Sequence, residues 1–318
     1  MPDPTSDPTG APRALHTLLA EAVDYAGLFP PAGLSMGVAV RRYAADRRSA
    51  ARWMLGRFVA PVARLEEFEA AALDLLPAGE TDAPWRLSAV TGPGADLASD
   101  LARAAAFNAR HAPDTGAGRA VVDAVEWRAP SVEALGTAAA ARARHLPGAP
   151  LYAELAPGVD ADAFARAAAA LGVRLKLRTG GTTPDAFPAP TTVLDVLAAG
   201  VRYGVPVKLT AGLHHPLGGE HPLTYEPESA RGTMFGFVNV LLAAAFLHAG
   251  HAPGVVAPLL DERDAGAFAF TDEAAVWRGL AVDLPTIGAA RARTVMGFGS
   301  CAFDEPVRDL RALGWLRD

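Results

Sequence analysis

The chain predicts an α/β fold, a (β/α)8 barrel of the TIM type in a single domain with an N-terminal helical extension. Three observations carry this. Short β-like runs alternate with Ala-rich helical stretches through six consecutive units. The joints between them are short and rich in Gly and Pro. The 318 residues are 51% hydrophobic and 20% charged, enough for one large core, and no shift in composition marks a second domain.

The elements follow in order. Residues 1–12, rich in Pro, Asp and Thr, read as a disordered tail, and residues 13–318 as the barrel domain. Residues 15–23 read as a short amphipathic helix, broken by the Gly- and Pro-containing stretch 24–31. The loop 24–34 is expected either to fold over the barrel mouth as a lid, with Asp24 reaching the substrate, or to plug it. Ser35 suits the cap of a second helix running to about residue 50. Strands are then expected at 56–60, 86–90, 120–127, 151–155, 174–178 and 205–210. Helices between them are expected at 65–76, 96–111, 132–145, 161–171 and 192–203. Residues 235–249 read as a strand end running into a helix, 267–271 as a final strand and 304–313 as a closing helix.

Charge and cysteine usage exclude several roles. A net charge of −6 and a pI near 5.8 argue against a nucleic-acid partner, which needs a basic face. The single cysteine, Cys301, forbids an internal disulfide and suits a reducing compartment. The N-terminus lacks the basic and apolar regions of a signal peptide, and the longest apolar run is too short to span a bilayer. A cytoplasmic protein without a membrane partner is the expectation. Barrels of this kind often self-associate, so a homo-oligomer fits, although no residue marks its interface.

Chemistry in such a barrel belongs at the C-terminal ends of the strands. Two strands carry polar residues that a core does not need. In residues 174–178, the period of two turns Leu175 and Leu177 toward the helices and Lys176 and Arg178 into the barrel. In residues 205–210, Val207 and Leu209 face the helices and Lys208 and Thr210 face in. Three inward cations need either carboxylate partners, for which Glu154 and Glu126 or Asp123 are available, or an anionic substrate. One lysine with a lowered pKa would then be a nucleophile for Schiff-base chemistry. Gly180 and Gly181 follow the first of these strands and would offer backbone N–H groups to a carboxylate or phosphate.

His214 and His215 follow the second, with His221 six residues later. Adjacent histidines point opposite ways in extended chain. His214 suits a general acid/base and His215 a substrate contact. A metal site from His214, His221 and Glu154 is the alternative, but no standard ligand spacing is met, so no metal or other cofactor is assigned. Asn239, polar in an apolar run, would hydrogen-bond a substrate or nearby backbone. Cys301 shows no paired base in the sequence and reads as a buried small residue.

Two resemblances rest on these residues. The strings AVDYAGLFPPA, LKLRTGG, VPVKLTAGLHHP, GFVNV and FGSCAFDEPV look like those of a widespread, uncharacterised bacterial protein family, which implies no particular activity. The two lysine strands also resemble those of the class I deoxyribose-phosphate aldolases. That family has a Schiff-base lysine in a Lys-Thr-Ser-Thr-Gly setting and a tuning lysine in a Lys-Ala-Ala-Gly-Gly setting on the next strand. The resemblance implies that Lys176 is the nucleophile and Lys208 its tuner, with Asp123 in the place of the catalytic aspartate. Arg178 and His214-His215 have no counterpart there, and the second glycine pair is reduced to Ala211-Gly212.

The leading expectation is therefore a lyase acting on a small anionic carbonyl metabolite. Lys176 or Lys208 would attack, Arg178 would clamp the anion, and Glu154, Asp123 or His214 would move protons. A metal-assisted hydrolase or isomerase and a non-catalytic small-molecule binder are the alternatives.

Overall fold

The computed structural model describes residues 10–317 except 79–82, 93, 95, 114, 116 and 117. Most of the expected N-terminal tail, residues 1–9, lies outside the described residues.

Eight parallel strands close into a barrel. They are β1 (Val23–Tyr25), β2 (Leu55–Pro61), β3 (Trp85–Val90), β4 (Ala120–Arg128), β5 (Leu151–Glu154), β6 (Arg174–Arg178), β7 (Val207–Thr210) and β8 (Val295–Ser300). The predicted (β/α)8 class is the observed one. The six predicted barrel strands are β2–β7, each within two residues of its expected bounds.

Helix α1 (Arg13–Leu19) precedes the barrel, and α2 (Met36–Asp46) connects β1 to β2. Thus only α1 is an extension; the second predicted helix is already a crossover of the barrel. Then follow α3 (Leu65–Ala72), α4 (Leu97–Arg110), α5 (Ala134–His145), α6 (Ala161–Leu171) and α7 (Pro190–Tyr203). Local chemistry explains their limits. Asp160 caps α6 by accepting from the backbone N–H groups of Asp162 and Ala163, and α6 and α7 end on left-handed glycines, Gly172 and Gly204.

The connection from β7 to β8 is elaborated. It holds a hairpin (Gly219–Pro222 with Arg231–Met234), helix α8 (Phe237–His248), a three-stranded antiparallel sheet and α9 (Leu284–Arg293). Helix α10 (Asp304–Ala312) closes the chain, as expected.

Two sequence expectations are corrected here. Residues 268–270, expected as the final barrel strand, form an edge of the small antiparallel sheet. Residues 235–249 contain no strand end: α8 begins at Phe237 and its residues 237–247 are all buried, so it lacks the polar stripe that marks a helix in sequence.

The inward side chains are polar through much of the barrel's depth, whereas the outward ones form the apolar layer beneath the helices. Leu175, Leu177, Val207 and Leu209 belong to that layer, and each is at most 5% exposed.

Candidate functional site

At the C-terminal half of the barrel, five inward residues make one chain of alternating charge, and Ser88 is hydrogen-bonded to it. Lys176 and Lys208 are register partners on β6 and β7, and Glu154 on β5 is the partner of Lys176. Lys208 Nζ pairs with Asp24 Oδ2 and lies 2.5 Å from Glu126 Oε1. The other oxygen of Glu126 is 2.9 Å from Lys176 Nζ, which lies 2.7 Å from Glu154 Oε2. Ser88 Oγ donates to Glu126 Oε1 at 2.6 Å. At the rim, Arg178 Nε and Arg128 Nη2 stand 3.2 and 3.4 Å from Glu154 Oε1.

Asp24, Ser88, Glu126, Glu154, Lys176 and Lys208 are each at most 5% exposed. Ion pairing with inward carboxylates, considered from the sequence, is thus realised by Glu154 and Glu126.

Burial alone would raise the carboxyl of Glu126, but the ammonium groups of Lys176 and Lys208 outweigh it and hold it well below the usual carboxylate range. Glu154 is lowered in the same way by Lys176 and Arg178. For Lys208, burial favours the neutral amine, yet Asp24 and Glu126 reverse the balance and raise it above an ordinary lysine. The expectation that Lys208 could be the lysine with a lowered pKa is therefore corrected: it sits between two carboxylates and is an ammonium.

Above this chain opens a cavity of about 380 Å³. Lys176, Lys208, Glu126 and Glu154 line it, with Arg128, Arg178, Thr210, Gly181 and His214 around the mouth and Phe29 and Pro30 from the loop after β1. The structure thus brings Lys176, Lys208, Glu154, Arg178, Thr210, Gly181 and His214 together. Asp24 reaches the site from below, as an inward residue of β1 rather than from a lid.

Other predicted residues fall elsewhere. Asp123 binds Arg57 Nε at 2.6 Å and Arg86 Nε at 2.7 Å, and Arg86 also pairs with Glu21 just before β1. This cluster sits toward the N-terminal end of the barrel, because Asp123 precedes Glu126 by three residues on β4; a register irregularity at Asp123 turns both inward, though an odd spacing in a regular strand would put them on opposite faces. Asp123 is not a proton shuttle for Lys176.

Asn239 is fully buried on α8. Its Nδ2 donates to the carbonyls of Leu259 and Glu262 at 2.7 and 2.8 Å, and its Oδ1 accepts from the Gly218 N–H at 3.3 Å. It ties the long β7–β8 connection together and does not reach the cavity.

His215 is held by Asp309 at 2.6 Å and stacks on His221, with ring centroids 3.6 Å apart, so neither lines the mouth. The metal set His214, His221 and Glu154 is not assembled. Among the described residues, no group of three or more His, Cys, Asp or Glu is placed to hold a metal ion.

Gly180 has a packing role: a Cβ there would come within 2.5 Å of the Phe187 ring and 2.8 Å of Gly212 Cα. The two glycines let Phe187 lie across the ends of β6 and β7.

Sequence reasoning missed a second polar group at the mouth. Cys301, just after β8, lies 4.0 Å from His214 Nδ1 and 3.4 Å from the Tyr225 hydroxyl. Glu305 completes the ring, 3.2 Å from His214 Nδ1 and 3.3 Å from Tyr225. Burial disfavours a charged His214, but its contacts to Cys301 and Glu305 outweigh this and raise it to about 9. The four residues come from two segments, 214–225 and 301–305, and the long separation between them hides their meeting in the sequence. Ser88 and Arg128 were also missed; the inward positions of their strands were the available signal.

No protein-family model matches the chain, and no curated protein matches it. Among solved structures, that of the Bacillus cereus spore cortex-lytic enzyme SleL is similar over 93% of this chain and 74% of its own, at 13% identity and a TM-score of 0.38. A likeness this slight carries no argument about function. Among the described residues, no helix is long and apolar enough to cross a membrane.

Proposed function

We propose that the protein is a Schiff-base lyase of the aldolase type acting on a small carbonyl compound that carries an anionic group. The observation that supports it most is the buried chain Asp24–Lys208–Glu126–Lys176–Glu154 beneath a cavity with Arg178 and Arg128 at its rim.

Two features divide the roles of the lysines. Lys208 lies between two carboxylates, and among the described residues Asp24 forms an ion pair with no other cationic side chain. Lys176 shares Glu126 with Lys208, and Glu154 with Arg178 and Arg128. In this reading Lys176 is the nucleophile. It passes a proton to Glu154 and attacks the carbonyl carbon; Glu154 then returns the proton to the departing hydroxyl, which leaves as water and gives the protonated imine. The protonated imine then draws electrons from a bond one carbon away, which breaks. Lys208 stays charged and supplies fixed positive potential next to the reacting centre.

Four cations, Arg128, Lys176, Arg178 and Lys208, meet three carboxylates, Asp24, Glu126 and Glu154, which leaves one positive charge for the substrate's anion. The reading keeps the paired-lysine resemblance to deoxyribose-phosphate aldolase and transfers the proton-moving role from Asp123 to Glu154.

An imine at Lys176 makes the neighbouring C–H bonds exchangeable. NMR in D2O with pyruvate, 2-oxobutanoate and dihydroxyacetone phosphate is expected to show enzyme-dependent α-deuteration of at least one. The rate is expected to fall about 10²-fold or more in Lys176→Met. Absence of exchange with all three, or full exchange in that variant, would overturn the reading.

A further inference from the structure

A second cavity adjoins the first. It measures about 860 Å³ and shares Arg128, Glu154 and Arg178 with the mouth. It extends from this shared rim over the loop after β5 and between α6 and α7. Its lining includes Leu155, Val159, Leu177, Phe187, Val196 and Ala199. Leu155, Leu177, Val196 and Ala199 are core residues that also form its surface. Phe187, seated across Gly180 and Gly212, supplies an aromatic wall. A three-carbon substrate bound over Lys176 would leave this whole space unused.

We propose that the substrate is a 2-oxo-4-hydroxy acid whose C4 carries an apolar substituent, and that the outer cavity takes that substituent. The proposal rests on the Schiff-base reading of Lys176 and adds the substrate class. Glu154 presents one oxygen to Lys176 and the other to Arg178 and Arg128, which stand on either side of it on β6 and β4 and line both cavities. In this assignment the C2 carbonyl meets Lys176, the C1 carboxylate meets Arg178 two residues further along the same strand, the C4 hydroxyl meets Glu154, and the substituent leaves past Arg128 into the outer cavity.

The reaction balances without an oxidant, a reductant or a further reactant. The Lys176 amine and the C2 ketone form an imine and release water. The C4 hydroxyl gives its proton to Glu154, the C3–C4 bond breaks, and its electron pair moves onto C3 as an enamine. The C4 fragment leaves as an aldehyde. C3 then takes a proton, and water returns to release pyruvate and restore the Lys176 amine.

Calorimetric binding of pyruvate, 2-oxohexanoate and 4-phenyl-2-oxobutanoate tests the assignment. Affinity is expected to rise at least tenfold from the first to the last, in line with burial of apolar surface. Thr192→Trp, at an exposed position lining the outer cavity, is expected to abolish that gain while leaving pyruvate binding and pyruvate deuteration within twofold. Ala198→Leu, also in the lining, is the second blocking variant. Incubation with 2-oxo-4-hydroxy-4-phenylbutanoate is expected to release benzaldehyde and pyruvate in equal amounts.

Equal affinity along the series, or a gain untouched by both variants, would overturn the substrate class. If deuteration at Lys176 persists, the Schiff-base reading survives that result. Absence of deuteration with every carbonyl compound would remove that reading and the cleavage proposed on it together.

Discussion

Glu126 is the residue on which the buried site turns. Each of its oxygens meets a different lysine, and Ser88 adds a hydrogen bond. Glu126→Gln keeps the shape but leaves two buried ammonium groups short of one carboxylate. Breaking a buried pair in this way costs about 3–5 kcal/mol. Denaturant unfolding of Glu126→Gln should show a loss of that size. Adding Lys208→Met should restore part of it, because one of the uncompensated charges is removed. Additive losses in the double variant would contradict the pairing.

His214 gives a second test at the same scale. Its folded pKa of about 9 lies above the ordinary 6.5, so its contribution is fully present below pH 6.5 and is lost as the pH rises through 9. The loss is at most about 3 kcal/mol. Stability measured from pH 6.5 to 9.5 should fall more steeply in the wild type than in His214→Gln. Parallel curves would show that the contacts to Glu305 and Cys301 do not hold the imidazolium.

At the scale of elements, strands β2–β6 were legible because each is followed by an Ala-rich helical stretch, and β7 through its own alternation. The inward placement of Lys176 and Lys208 followed from the same period of two. Strands β1 and β8 were not legible. β1 is three residues long and runs into a Gly- and Pro-rich loop, so Asp24 read as part of that loop. β8 carries Gly297 and Gly299 where other strands carry inward side chains, which hides its alternation.

Gly297 is required there: its φ is +136°, and a Cβ would collide with the carbonyl of Ala22. Gly297→Ala should therefore cost about 1–3 kcal/mol and lower the melting temperature. An unchanged melting temperature would show that β8 does not pack against the start of β1 this tightly.

Asn239 shows how a polar residue in an apolar run misleads. Its three hydrogen bonds join α8 to the segments at Gly218 and at Leu259–Glu262. Asn239→Leu should cost about 2–3 kcal/mol through unpaired buried backbone groups. The deuteration activity of the folded fraction should be unchanged. A selective loss of activity without loss of stability would place Asn239 in the site after all.

Across the whole molecule, the barrel divides its interior charge by height. One cluster toward the N-terminal end, around Asp123, Arg57 and Arg86, pairs among itself. The other, nearer the C-terminal end, holds Lys176 and Lys208 under the mouth cavity. Sequence periodicity showed which residues of β6 and β7 point inward, but not depth, which is set by register, nor the facing of Asp123, which is set by the irregularity in β4. That is why Glu126 and Asp123 read as equivalent partners and only one of them is.

Reduction of an imine in place reports directly on which amine forms it. Borohydride added with pyruvate, followed by peptide mass spectrometry, should place the adduct on Lys176 in the wild type and abolish it in Lys176→Met, with Lys208 unmodified throughout. An adduct on Lys208, or none on either lysine with any carbonyl compound that binds, would contradict the assignment of Lys176 as the nucleophile.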